Sequence, residues 1–361
     1  MFGIHLFDSG SEEGEEESSF VSVIVRRQLR DCSNPLSLCE REFRQHFRLS
    51  REAFTYVLNC IGNPGRSKIT SIPGVLKLAV TLNILGSGSY QINAGVGFLI
   101  AMAQPTVSIV FNETLQLLEE ILCANWIKLD STKFGNTKTY YFSKFKIPGV
   151  VGCIDGTHIT ILKPVENEHM FYNRKGHHSV NAMIICDHDY RIMAVNACYG
   201  GSAHDSFVWS MSNEKIFFEQ LYERGDCNSR LLGDSGYGIA PWLLDPYCNA
   251  NNGSNEEAFN TIHSSARTTV ERAVGVLKGR WRLYNSDLII RYTPKKTTSI
   301  VNVCATLHNI CIHYNICLDP TEAAPPDDPI LHVPVPHSTT DSAITRRAES
   351  IRNNIRDSLV Q

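Results

Sequence analysis

The chain has 361 residues, 43% of them hydrophobic and 20% charged, a composition that excludes a wholly disordered polypeptide and leaves room for a catalytic domain beside a smaller helical unit. Its formal net charge of -3 conceals an uneven distribution: Asp8, Glu12, Glu13, Glu15, Glu16 and Glu17 crowd the N-terminal stretch, where no Lys or Arg stands, and the remainder is mildly basic. Twelve cysteines without a C-x-x-C pair or a secretory leader argue against a disulfide framework and for a reducing, intracellular setting.

Residues 1–35 read as an acidic, disordered head, because such a stretch has too little apolar surface to bury. Over 36–60, Phe43, Phe47, Phe54, Val57 and Leu58 recur at spacings near three and four, broken at Leu49-Ser50, where Ser50 is placed to cap a second helix. Three further helical patterns follow, PGVLKLAVTLNILGSGSY, INAGVGFLIAM and AQPTVSIVFNETLQLLEEIL, separated by a Gly-Ser turn and by Gln104-Pro105. Residues 36–130 therefore predict a helical, helix-turn-helix-like module. In its last helix Val107, Val110, Phe111, Thr114, Leu115 and Leu118 share the inner face and Thr106, Ser108, Asn112 and Glu113 the outer one. Thr106, Ser108 and Asn112 are then the candidates for base contacts, although a module this poor in Arg and Lys reads equally well as a plain packing unit. Residues 78–112 carry no charge, yet the longest apolar piece, 94–103, is too short to span a bilayer, so buried helices and no membrane segment are expected.

A Lys-rich polar linker over 130–149 leads into a change of period. VVGCIDGTHITILK, SVNAMIICDH, RIMAVNACYG and SRLLGDSGY read as four strands, the first three rich in Val and Ile, with a helix opening near His204 between the third and the fourth. Helix returns over 264–284 and 299–314. Elements in this order predict an α/β fold, a mixed sheet flanked by helices, over 131–316. The Pro- and Asp-rich remainder, 317–361, reads as a flexible tail with a short polar helix over Ser342–Leu359. Within CATLHNICIHYN, Cys304, His308, Cys311 and His313 do not share one helix face, which favours an apolar helix with a polar seam over a zinc site.

Three carboxylates stand out against this background. Asp155 interrupts an apolar strand, where a charge is costly unless paired or bound to a metal. Asp234 ends another strand, next to Gly233 and close to Gly236, at the carboxyl edge where open sheets place their sites. Glu271 lies on a helix whose core stripe is Val270, Ala273, Val274, Leu277 and Trp281, while Arg267, Glu271, Gly275, Lys278 and Arg282 align on another face. The bland alternative for Glu271 is a surface acid paired with Arg267 and Arg282. Residues 264–296 contain eight basic and two acidic residues, which makes Arg267, Lys278, Arg280 and Arg282 candidate contacts to a phosphate backbone. Two acids from strand ends and one from a helix suit a hard cation, and two such ions about 4 Å apart would support in-line cleavage of a phosphodiester. A haloacid dehalogenase phosphatase also carries DGT after an apolar strand, but its nucleophile position is Cys153 here.

The blocks GVVGCIDGTHITI, FYNRKGHHSVNAMIICDHDYRIMAVNACYGGSAHDSFVWSMS, LLGDSGYGIAPWLLDPY and FNTIHSSARTTVERAVGVLKGRWRLY, in this order, resemble the Harbinger (PIF-like) transposases and the nucleases derived from them, which are DDE superfamily endonucleases. The resemblance covers residues 36–316 and implies a ribonuclease-H-like catalytic domain with Asp155, Asp234 and Glu271 as its D-D-E triad. It further implies Mg²⁺ or Mn²⁺ on those three residues, with His204 and Asp205 of GGSAHDSFVW as accessory groups and Asp205 as a rival for the second carboxylate. DNA is the implied substrate, a separate Myb-like DNA-binding protein the implied partner, and the nucleus the implied site of action, with the cytoplasm second and room for a homo-oligomer. The basic pairs Arg26-Arg27, Lys295-Lys296 and Arg346-Arg347 are too short to make a nuclear signal by themselves. Its non-enzyme counterpart is a domesticated, catalytically silent scaffold on chromatin.

Overall fold

The computed structural model describes Val25, Gln28 and residues 32–62, 72–88, 102–284, 289–317 and 342–359. The acidic head up to residue 24, the helical pattern over 92–101 and the Pro-rich stretch 318–341 lie outside the described residues. The chain falls into two units, Met1–Thr114 and Leu115–Gln361.

In the first unit, α1 (Glu40–Phe47) and α2 (Arg51–Cys60) form the expected helical pair. Ser50 caps α2 by accepting from the Ala53 amide at 3.2 Å, and Phe43 meets Phe47 and Phe54 edge-on with ring centres 4.9 and 5.3 Å apart. Next, α3 (Gly74–Ser87) is buried along most of its length and is tied to the pair by Arg48, whose guanidinium donates to the Gly86 carbonyl at 3.2 Å. The unit boundary falls inside α4 (Gln104–Trp126). Val107, Val110, Phe111, Thr114, Leu115 and Leu118 are buried along it, as the periodicity predicts. Asn112 and Glu113 are exposed, while Thr106 and Ser108 are half-buried. Among the described residues no helix is long and apolar enough to cross a membrane.

The second unit opens with a departure from expectation. The polar linker is a helix, α5 (Phe134–Phe145), which buries Phe134, Thr137 and Tyr141. Positions seven apart return to one face of a helix, so two aromatic residues suffice to dock it, while Lys144 stays in water and the half-buried Lys138 pairs with Asp226 at 3.7 Å.

Five strands follow, β1 (Val150–Thr160), β2 (Ser179–Cys186), β3 (Ile192–Gly200), β4 (Arg230–Leu232) and β5 (Leu243–Leu244), in the sheet order β3-β2-β1-β4-β5. The first three are antiparallel, and β4 and β5 run parallel to β1. A parallel neighbour needs a crossover, here supplied by α6 (Asp205–Ser210) and α7 (Asn213–Glu223). Val151, Ile154, Met183, Ile185, Leu231 and Leu243 from the sheet join Val208, Trp209 and Phe218 from these helices in one apolar core. This is the mixed, helix-flanked sheet of a ribonuclease-H-like fold; only β5, two residues long, had no periodicity to reveal it.

The longest helix, α8 (Asn255–Arg280), packs on β1, β2 and β4. It starts earlier than its apolar stripe does, because Ser254 accepts from the Glu257 amide at 3.2 Å and Glu256 and Glu257 favour the first turn. On β3 and β2 lies α9 (Pro294–His313), whose Asn309 bonds both the amide and the carbonyl of Ile192, at 2.8 and 2.7 Å. Most of its polar seam is internal: His308 Nε2 meets the Tyr190 carbonyl at 2.8 Å and Cys304 and Cys311 are buried outside any disulfide, while His313 is exposed. The last helix, α10 (Ser342–Leu359), has the expected span but is no loose tail. Arg352 donates to Asp245 at 2.6 Å, Tyr247 to Asn353 at 2.6 Å and Arg356 to Glu256 at 2.5 Å, which dock it on α8 and the segment after β5.

Candidate catalytic site

Cys153 of β1 is level with Leu232 of β4, so Asp155 and Asp234 each lie two residues past that register, at the carboxyl end of the parallel pair. Close approach of the two strands depends on Gly233, where a Cβ would stand 3.0 Å from the Ile154 side chain. Asp234 is buried and turns the chain, its Oδ1 accepting from the Gly236 amide at 2.9 Å. Glu271 arrives on α8, one turn after Arg267. The Arg267 guanidinium joins two of the acids, donating to Asp155 Oδ1 at 3.1 Å and to Glu271 Oε1 at 2.9 Å. Asp205, the first residue of α6, accepts from Asn181 Nδ2 of β2 at 2.9 Å. It reaches the strand beside Asp155, since a Cβ on Gly156 would lie 2.4 Å from its Oδ1.

Burial pushes the Asp155 carboxyl up to about 7; Arg267 opposes this, and Asp234, Asp205 and Glu271, in that order, reinforce it. Tyr237 completes the cluster: burial, then Asp205, Asp155 and Asp234, hold its phenol well above the ordinary range. Its hydroxyl has no hydrogen-bond partner among the described residues. Cys153, at the position a phosphatase nucleophile would take, is closed off. Its thiol lies 3.2 Å from the Tyr141 hydroxyl and 3.6 Å from the Ala266 carbonyl, and burial pushes it up to about 12, so it is no thiolate nucleophile at neutral pH.

Other expectations require correction. Among the described residues no three acid, imidazole or thiol groups stand close enough to share a metal ion, and the Arg267 guanidinium bonds both Asp155 and Glu271. Arg267, expected on a DNA-facing stripe, is therefore turned into the site, with a side chain only 17% exposed. Lys278 and Arg280 are 3% exposed, and Arg280 donates to the Ile316 carbonyl at 2.6 Å, so neither can track a phosphate backbone as placed. Face counting on α8 assumed one buried stripe, whereas the helix is packed by β1, β2, α5, α9 and α10. Arg282 is exposed, as expected. His204 is the exposed N-cap residue of α6 and receives Arg174 on its ring.

Sequence reasoning passed over Asn181, Tyr237, Arg174 and Lys175. Asn181 had a signal, since an amide in the otherwise apolar SVNAMIIC is as anomalous as Asp155 in its own strand.

A ribonuclease-H-like sheet with acids gathered at its carboxyl edge defines a class of nuclease, and residues 154–309 match the family described as DDE superfamily endonuclease. The chain is 30% identical over 242 residues to "Putative nuclease HARBI1" of Mus musculus, covering 66% of this chain and 68% of that protein. The Rattus norvegicus protein of the same name is 28% identical over 281 residues, 77% of this chain and 78% of its own. "Protein ALP1-like" of Arabidopsis thaliana is 28% identical over 305 residues, 75% and 71% respectively. The chain belongs to the Harbinger transposase-derived nuclease family of DDE superfamily endonucleases. No solved structure matches it.

Proposed function

We propose that this chain is a metal-dependent DNA endonuclease in which Asp155, Asp234 and Glu271 hold two divalent cations, Mg²⁺ or Mn²⁺. The observation that carries this reading is the gathering of Asp234, Asp205 and Glu271 around Asp155, whose carboxyl is pushed up to about 7 by burial first and by these acids after it, with Arg267 opposing. The donor set is all oxygen, which suits hard cations that take carboxylates and retain water. When bound, such cations stabilise charge on the attacking and leaving oxygens of a phosphodiester.

The chain's own residues divide the remaining work. β1 and the turn after β4 hold Asp155 and Asp234 on a rigid edge, and α8 brings Glu271. Arg267 neutralises Asp155 and Glu271 between turnovers and gives up part of that pairing as the site fills. Asn181 orients Asp205, which with His204 serves as an accessory group. Arg282 is the remaining α8 candidate for the DNA backbone, and Thr106, Ser108 and Asn112 are the candidates for base contacts. A Myb-like protein as DNA-binding partner, action in the nucleus with some in the cytoplasm, and a homo-oligomer complete the proposal.

The test is cleavage of supercoiled plasmid by the purified chain with Mg²⁺ or Mn²⁺, against chelator and against Asp155→Asn. Nicking or linearisation that needs both the cation and Asp155 is expected. Cleavage retained by Asp155→Asn would overturn the assignment. One observation favours a second reading, a silent chromatin-associated scaffold: Arg267 already pairs two of the three acids. No cleavage under any cation, with equal function of Asp155→Asn and parent in cells, would select it.

A further inference from the structure

The connection between β1 and β2 carries a short basic hairpin, and several observations place it at the rim of the acidic cluster. Asn173 is 5% exposed and pins the hairpin from inside. Its Oδ1 accepts from the Lys175 amide at 2.9 Å and the His177 amide at 3.3 Å, while its Nδ2 donates to Ser179 Oγ at 2.8 Å. Gly176, at φ +82, closes the tip in a conformation that disfavours side chains. Arg174 and Lys175 are thereby thrust outward, both exposed.

The base of the hairpin is clamped to the turn that delivers Asp205. The Gly201 amide donates to the Ser179 carbonyl at 2.7 Å and the Ser202 amide to the Met170 carbonyl at 3.2 Å. Neither Gly200 nor Gly201 has room for a Cβ, which would lie 2.0 Å from Met170 O and from Ser179 Oγ respectively. From the tip, Arg174 Nη2 donates to the ring of His204 at Nδ1, and the next residue is Asp205.

The ion pairs among the described residues involve neither Arg174 nor Lys175. Their charge is nonetheless felt inward: burial first, then His177, Lys175, Lys278 and Arg174, hold His158 of β1 down to about 4. A solvated surface loop would explain two exposed cations. It does not explain a rigid hairpin that holds them beside a buried carboxylate cluster with no acid of their own.

We propose that Arg174 and Lys175 form a phosphate clamp that seats the DNA backbone against the Asp155 and Asp205 edge, the role that the buried Lys278 and Arg280 cannot fill. Acids at the floor and a basic hairpin at the rim give a strand two things at once: carboxylates at the scissile phosphodiester and counter-charge on a neighbouring phosphate. The clamp rests on the nuclease reading above, in that it supplies the DNA which that site would cut.

The experiment is a salt titration of duplex DNA binding by fluorescence anisotropy, in chelator, for the full chain and for Arg174→Ala/Lys175→Ala. Each phosphate contact contributes about 0.9 to the slope of log affinity against log salt, so the double variant should lose about 1.8 from that slope. Its melting temperature should match the parent's, because both side chains are exposed. An unchanged slope in a parent that binds and cleaves DNA overturns the clamp and leaves the nuclease reading standing. A lost slope in a parent that never cleaves supports the clamp and removes the nuclease reading, and a parent that binds no DNA at any salt removes both. Inorganic phosphate is the control ligand: if it displaces the duplex at concentrations too low to act through ionic strength, the hairpin is an isolated anion site and the backbone clamp is wrong.

Discussion

Asp155→Asn is the substitution that best separates a built-in site from an ordinary ion pair. In an unfolded chain the Asp155 carboxyl has its ordinary value near 3.8, whereas burial and the surrounding acids carry it up to about 7 in the fold. Below pH 4 both states are protonated and the residue is neutral for stability. Between about pH 4 and 7 the folded protein binds the extra proton, so stability falls as pH rises, and above 7 the loss is complete. At about 1.4 kcal/mol for each tenfold, the ionised carboxylate costs the metal-free fold on the order of 4 kcal/mol at pH 8. Asparagine is isosteric with the neutral acid and carries no such cost. In chelator at pH 8 Asp155→Asn should melt several degrees above the parent, about 2–4 °C per kcal/mol for a domain of this size, and the gap should close towards pH 4. Mg²⁺ should then raise the parent alone, by about 2.7 kcal/mol at a hundredfold excess over its dissociation constant. Thermal melts at pH 4, 6 and 8, with and without Mg²⁺, measure every element of this. An Asn variant that melts below the parent at pH 8 in chelator would refute the reasoning, because the Asp155–Arg267 pair would then be a stabilising structural bridge.

Arg267→Ala should cost about 2 kcal/mol in chelator, since it strips the counter-charge from a partly buried carboxylate. Mg²⁺ should restore much of the loss in a melt; a deficit that ignores Mg²⁺ would mean that Arg267 acts through packing alone. Tyr237→Phe removes a buried hydroxyl without a partner among the described residues and should leave metal-free stability unchanged or raise it by about 1 kcal/mol, while weakening Mn²⁺ binding followed by electron paramagnetic resonance. Equal Mn²⁺ affinity would remove Tyr237 from the site. Arg280→Ala should lose about 2–4 kcal/mol in urea unfolding, because it empties a buried position and orphans the Ile316 carbonyl. Arg282→Ala, on the surface, should stay within about 0.5 kcal/mol of the parent, and the opposite ranking would reverse their placement.

The parts of the fold legible in the sequence are those whose signal is local. β1 to β3 announced themselves as runs with Val and Ile and β4 as a short apolar run before Gly233, and the core stripe Val270, Ala273, Val274, Leu277 and Trp281 is buried as counted. What escaped was decided by tertiary contact. The lysines of 130–149 masked a helix docked by Phe134 and Tyr141. The tail helix could be spanned from its pattern, but not its anchorage, which needs Asp245, Tyr247 and Glu256 from distant stretches. Lys278 and Arg280 looked like surface residues because a helical wheel knows one neighbour, and α8 has several. At the site, single anomalies were readable, an acid in an apolar strand or after a strand end. The guanidinium lying between Asp155 and Glu271 was not, since an i,i+4 pair on a wheel gives no hint that a third group from the sheet joins it.

That shared guanidinium also bears on how two readings of Glu271 can both hold. As a surface acid it should pair with Arg267, and it does, at 2.9 Å with half its side chain in solvent. A pair so exposed contributes no more than about 1 kcal/mol. The Asp155 arm of Arg267 is more enclosed, with side chains 17% and 18% exposed, and is the stronger of the two. Were Asp155, Asp234 and Glu271 to hold a divalent ion, Arg267 would have to leave only Glu271, the weak arm, for the third carboxylate to join, and the ion would supply counter-charge to an Asp155 that burial and the neighbouring acids push up to about 7. The salt bridge is thus the resting arrangement to expect of a carboxylate site without its cation, and its presence does not argue against a metal role for Glu271. What would argue against it is a strong Glu271 arm. Glu271→Gln should accordingly cost the metal-free protein under about 1 kcal/mol in urea unfolding while weakening Mn²⁺ binding at least tenfold, and a large stability loss with unchanged Mn²⁺ affinity would return Glu271 to the helix surface.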